Sequence, residues 1–147
     1  FVSGEQVRWR VSTIIEAYGR LIVGDEFDNS IGVLDKDVYQ DYGNTVIREW
    51  TSQPIANDMA PLFLSRVEVT VESGVSAQGA ESELALSLSK DGGKTYSGER
   101  FRSMGKIGEY FKRVVWKRLG MYPRFCNLRL TYSGSAKCVL IRVDADG

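Results

Sequence analysis

The sequence predicts an all-β protein of antiparallel sheets, built as a β-sandwich or a partial β-propeller-like stack. Three observations carry this: apolar residues recur with period two, the punctuation is glycine, asparagine and aspartate, and helical periodicity is confined to fragments. Runs of this kind recur about ten times along the chain, the spacing of short strands in a sheet stack.

Taken in order, Val7, Trp9 and Val11 alternate with Arg8 and Arg10, so residues 1–11 read as a strand already in progress. Short strands are expected at 21–23 and 46–50. Residues 53–61, with Pro54 and Pro61, read as a loop, because proline removes a ladder donor. Val67, Val69 and Val71 alternate with Glu68, Thr70 and Glu72, and Leu84, Leu86 and Leu88 alternate with Ala85, Ser87 and Ser89. Each triplet marks one buried sheet face. Between them, the Gly-, Ser- and Ala-rich residues 73–82 form the clearest loop. Strands at 96–102, 112–116, 128–132 and 139–143 complete the set.

The sharpest local motif is Ser89-Lys90-Asp91-Gly92-Gly93-Lys94-Thr95-Tyr96, which reads as a hairpin connection. The aspartate accepts backbone N–H groups, the glycines supply positive φ, and Thr95 and Tyr96 return the chain to the sheet. Ser89, Asp91, Gly93, Thr95 and Tyr96 match the Asp-box pattern. The motif resembles the turns of sialidase-type propellers and other β proteins, where the box is architectural.

With 147 residues, 43% of them hydrophobic, the chain can bury one good core, so residues 1–147 are expected to form a single domain. No run approaches the roughly 18 apolar residues of a membrane helix, and no membrane partner is expected. The absence of histidine and of any CxxC spacing removes the usual metal and nucleophile constellations, so no metal, cofactor or catalytic residue is expected. Cys126 and Cys138 read as buried thiols. A formal net charge of zero hides an asymmetry: residues 1–93 hold 7 basic and 15 acidic side chains, residues 94–129 hold 10 basic and 2 acidic. Such a basic segment suits either nucleic acid or the acidic part of a neighbouring copy.

Three partial motifs fail on their spacing. Gly93-Lys94-Thr95 ends like a phosphate-binding loop, but Leu88 stands where its first glycine belongs, and a strand follows instead of a helix. Ser103-Met104-Gly105-Lys106 has the serine-x-x-lysine spacing of acyl-enzymes without their partner motifs. Asp35, Asp37 and Asp41 begin like a calcium loop, but Tyr39 and Gln40 occupy its ligand and glycine positions, so a solvated acidic turn is expected.

After the Asp-box turn come Met104-Gly105-Lys106-Ile107-Gly108-Glu109-Tyr110 and Arg113-Val114-Val115-Trp116-Lys117-Arg118-Leu119-Gly120. Together with 31–35, 39–43, Arg48-Glu49-Trp50 and 63–74, these segments resemble the C-terminal part of the packaged-DNA stabilisation family, the tail hub or nozzle proteins of short-tailed bacteriophages. The resemblance implies a fragment of a longer, non-enzymatic virion protein, localised in the tail and assembled in the bacterial host cytoplasm. It implies a head–tail connector that forms a homo-oligomeric ring with tail and portal-adaptor partners. Such a connector retains packaged DNA until ejection without binding it sequence-specifically. Arg113, Lys117, Arg118 and Arg124 are the expected subunit contacts, facing acidic protein surfaces, since a lumen lined with arginine would grip phosphate and slow ejection. The alternative is a carbohydrate- or receptor-binding β module of a phage tail, with Trp50 and the tyrosines of 39–42 as its aromatic platform.

Overall fold

The structure, a computed structural model, describes residues 8–58, 60–72, 82–106, 108–110 and 112–147. The expected strand residues before 8 and most of the 73–82 loop lie outside the described residues. The protein is all-β, and every strand pairing among the described residues is antiparallel. The chain falls into two compact units, Phe1–Val46 and Ile47–Gly147.

In the first unit, β1 (Val11–Ala17), β2 (Arg20–Asp25) and β3 (Ile31–Leu34) form a meander, and β4 (Gln40–Asp41) and β5 (Asn44–Thr45) a short hairpin. Both tight turns use a Tyr-Gly pair in the left-handed region: Tyr18 and Gly19 at φ 55° and 68°, Tyr42 and Gly43 at 46° and 81°. Two consecutive positive φ values give the hairpin turn whose twist matches the strands, with glycine lowering the cost at its second position. Arg10 ties the meander's loop, pairing with Asp25 and, at 3.1 Å, with Asp28, while its guanidinium lies 5.1 Å from the Tyr42 ring centre. Tyr42 can approach this closely because residue 32 is glycine: a Cβ there would stand 2.6 Å from the phenol oxygen.

The second unit contains β6 (Arg48–Thr51), β7 (Ile55–Ala56), β8 (Leu62–Val71), β9 (Glu83–Ser89), β10 (Arg100–Ser103), β11 (Val114–Tyr122), β12 (Phe125–Tyr132) and β13 (Leu140–Asp146). One sheet runs β10-β9-β12-β6 with β7 also on β12; the other runs β11-β8-β13. A single core joins them: Leu64, Val67, Val69 and Val71 of β8 and Trp116 and Leu119 of β11 pack with Leu84, Leu86 and Leu88 of β9 and Leu128 and Leu130 of β12. This is a β-sandwich, not a propeller-like stack. The Trp116 indole, 1% exposed, donates to the Arg100 carbonyl at 2.6 Å, tying the two sheets where β10 meets β11.

Three strand expectations change in detail. β10 begins only at Arg100, because the turn consumes residues 90–96 and the Ser97 hydroxyl accepts from the Leu88 N–H in place of a ladder carbonyl. β11 runs on to Tyr122 through a bulge between Lys117 and Gly120, where Arg118 takes φ 58° and Gly120 φ 100°. The extra residue breaks the period of two and turns both Trp116 and Leu119 into the core. β9 is buried on both faces: Ala85, Ser87 and Ser89 are as enclosed as the leucines between them. These small side chains lie among taller neighbours. Arg129, paired with Ser87 in register, lays its guanidinium 3.8 Å from the centre of the Tyr96 ring.

Candidate functional site

The turn after β9 is organised by one carboxylate. Asp91 Oδ1 accepts the Lys94 and Thr95 N–H groups at 3.0 and 2.9 Å and the Ser89 hydroxyl at 2.7 Å, while Oδ2 accepts the Thr95 hydroxyl at 2.6 Å. Ser89 Oγ in turn accepts the Gly93 N–H at 2.9 Å. Gly92 and Gly93 sit at φ 78° and 89°, a conformation closed to most side chains. The donors, led by Thr95, hold the Asp91 carboxyl well below the usual carboxylate range. Tyr96 closes the turn, its hydroxyl 3.1 Å from where a Cβ on Gly93 would stand. Every partner of Asp91 belongs to the turn itself, which makes the motif an anchor for the loop.

The four basic residues expected at a subunit contact do not converge. Arg113 reaches Glu68 of the same chain at 3.3 Å across β11 and β8. Lys117 lies in the row Lys117–Arg66–Asp146 on the outer face of the three-stranded sheet. Arg118 stands at the bulge, and Arg124 in the turn between β11 and β12; both are exposed. At about 3.3 Å per residue, Arg113 and Arg124 are separated by most of the length of β11, on the order of 30 Å. Other members of the basic segment are occupied within the chain. Lys112 meets Glu109 at 3.3 Å and the Ser103 hydroxyl at 3.1 Å, and Arg129 faces Glu49 at 3.8 Å. The cation beside Ser103 is therefore Lys112, ion-paired, and not the Lys106 of the serine-x-x-lysine spacing.

A cleft of about 330 Å³ opens on the outer face of the five-stranded sheet. Its floor is the registered row Phe101–Ala85–Thr131, its far wall the 133–136 segment, and its charges are Glu83 and Glu99. Gly134 is required in that wall, since a Cβ there would fall 2.2 Å from the buried Tyr132 hydroxyl, which donates to the Ala136 carbonyl. None of the motifs in the sequence marks this cleft. Its signal was the off-phase set of the Leu84 to Leu88 alternation, where Glu83, Ala85 and Ser87 are too small or too charged to be a core face. A hairpin through the Asp91 turn then places Phe101 beside Ala85.

The remaining expectations resolve locally. Cys126 is buried and Cys138 half-buried, and both are free thiols. Burial pushes the Cys126 thiol up to about 11 and the neighbouring Tyr122 phenol up to about 12, so neither titrates near neutrality. Asp35 accepts the Asp37 N–H at 2.9 Å as an aspartate turn, and the described residues hold no cluster of three metal-ligating side chains. Trp50 and Tyr42 are both partly exposed.

The family model described as "Bacteriophage P22 Gp10, beta-sandwich" matches residues 48–147. The match begins at the first residue of β6 and takes in every strand of the sandwich. No curated protein sequence matches the chain. The chain belongs to this family, and it is a structural protein of a bacteriophage virion.

Proposed function

From that membership we propose that the chain is part of a tail hub that joins the head-proximal and distal parts of a short tail and retains packaged DNA until ejection. The single observation carrying this reading is the family match across the whole sandwich, in the segment order that resembles tail hub and nozzle proteins. The chemistry of the surface supports it. The outer face of β11-β8-β13 is a lattice of opposite charges, with Arg113 and Arg66 on Glu68 and Arg142 on Asp144 at 2.6 Å. Charge offset in large part within the chain grips phosphate less, which suits a wall that DNA must slide past. The protein acts through its surfaces and not as an enzyme.

Sedimentation and mass measurement across a salt series, with and without short duplex DNA, test the proposal. A salt-sensitive oligomer indifferent to DNA is expected. A monomer that binds duplex DNA with a steep salt dependence overturns it in favour of a nucleic-acid module.

A further inference from the structure

The cleft on the five-stranded sheet carries two carboxylates and no basic side chain. Glu83 and Glu99 are exposed at its rim, and Phe101, 50% exposed, offers a ring face beside the small floor of Ala85 and Thr131. Carboxylates flanking a phenyl face, with room for an aliphatic stem, form the complement of an arginine side chain. The matching cation lies just beyond the other end of β12. Arg124 precedes β12, whereas Thr131 of the cleft floor lies near its end, about 23 Å away at the rise of a β-strand. The Arg124 end is predominantly basic: Lys90 and Lys94 of the Asp91 turn are exposed, and Lys90 lies 5.5 Å from the Tyr122 ring at the end of β11, against one exposed carboxylate, Asp58, just past β7. Asp91, the acid of that turn, is consumed by its own hydrogen bonds.

We propose that the cleft receives Arg124 of a second copy, its guanidinium set between Glu83 and Glu99 against Phe101, with Lys94 of that copy at the rim. Acceptor and donor lie at opposite ends of β12 on every protomer, so the contact is heterologous and propagates head to tail, closing into a ring where the rotation between copies allows. This deepens the tail-hub reading proposed above and rests on it for biological meaning, but it makes a separate claim about which side chains meet.

The test is self-association of the full chain, followed by sedimentation in low salt. E83K/E99K and R124E are each expected to weaken association at least tenfold, and F101A to a smaller extent. Combining E83K, E99K and R124E in one chain restores association, because the exchanged charges pair again; this recovery also shows that the variants fold. If the wild type associates and E83K/E99K leaves it unchanged, the cleft contact is overturned while a ring built on other surfaces stands. A wild type that remains monomeric at millimolar concentration overturns the contact and leaves the family assignment untouched. Binding of neutral oligosaccharides that is lost in F101A, without self-association, overturns it in favour of a glycan site.

Discussion

The two units of this chain treat apolar strand residues in opposite ways. In the sandwich, β8, β9, β11 and β12 bring Leu64 to Tyr132 into one dry cluster, because two sheets each supply a face. In the N-terminal unit, Val23 is the one fully buried apolar side chain among the described residues, while Ile14, Ile15, Ile31, Val33 and Leu34 stay 47% to 77% exposed. The strands of both units have similar composition and the same antiparallel pairing. The difference lies in what packs on each sheet: among the described residues the three-stranded meander has in its own unit only the two-stranded β4-β5 hairpin beside it, and of the registered row Ile15, Ile22 and Val33 the two outer members stay 59% and 50% exposed. Alternation in a sequence therefore specifies a face, and a second layer decides whether that face becomes a core.

Substitutions in matched positions sharpen this contrast. Trp116→Ala removes the largest fully buried side chain and its hydrogen bond to Arg100, and is expected to cost roughly 3–5 kcal/mol in urea unfolding followed by far-UV circular dichroism. A cost below roughly 1 kcal/mol would show that the sandwich core is not the main source of stability. Gly134→Ala and Gly32→Ala form the cleanest pair, since each new methyl meets a tyrosine hydroxyl. Tyr132 is 2% exposed and has nowhere to go, so G134A is expected to cost about 1–3 kcal/mol. Tyr42 is 45% exposed and swings aside, so G32A stays within about 0.5 kcal/mol, at the expense of the Arg10 contact. Equal effects of the two substitutions would erase the distinction between the units.

The smallest effect at neutral pH is the titration of Asp91. Its carboxyl is lowered in the folded chain, so its contribution is fully present above the ordinary carboxylate pKa of about 4 and is lost as pH falls through the folded value. The thermal midpoint of the wild type is therefore expected to fall more steeply below pH 4 than that of Asp91→Asn. Parallel acid limbs in the two proteins would show that the turn adds nothing to folding.

Much of the fold is legible in the sequence, and the limits of that legibility are physical. Val67 to Val71 and Leu84 to Leu88 announced their buried faces, and Ser89 to Tyr96 announced a turn, because side-chain alternation and positive-φ chemistry act within a few residues. The β11 bulge was illegible because one added residue shifts Leu119 out of phase with Trp116, which the alternation rule reads as the end of a strand. The basic segment was visible as a sum of charges, but its partners were not. Glu68 lies 45 residues from Arg113, and only the β8 and β11 register brings them within 3.3 Å.

Sequence by itself determined the all-β class, the inward-facing alternation of Val67 to Val71 and Leu84 to Leu88 and the carboxylate-centred turn, since each depends on neighbours along the chain. Tertiary structure alone decided that the sheets close as a sandwich, that both faces of β9 are buried, and that an acidic cleft and a basic turn occupy opposite ends of β12. Those outcomes depend on which strands pair and in what register, as when β8 accepts β13 from some 75 residues further along, and no local pattern encodes that choice.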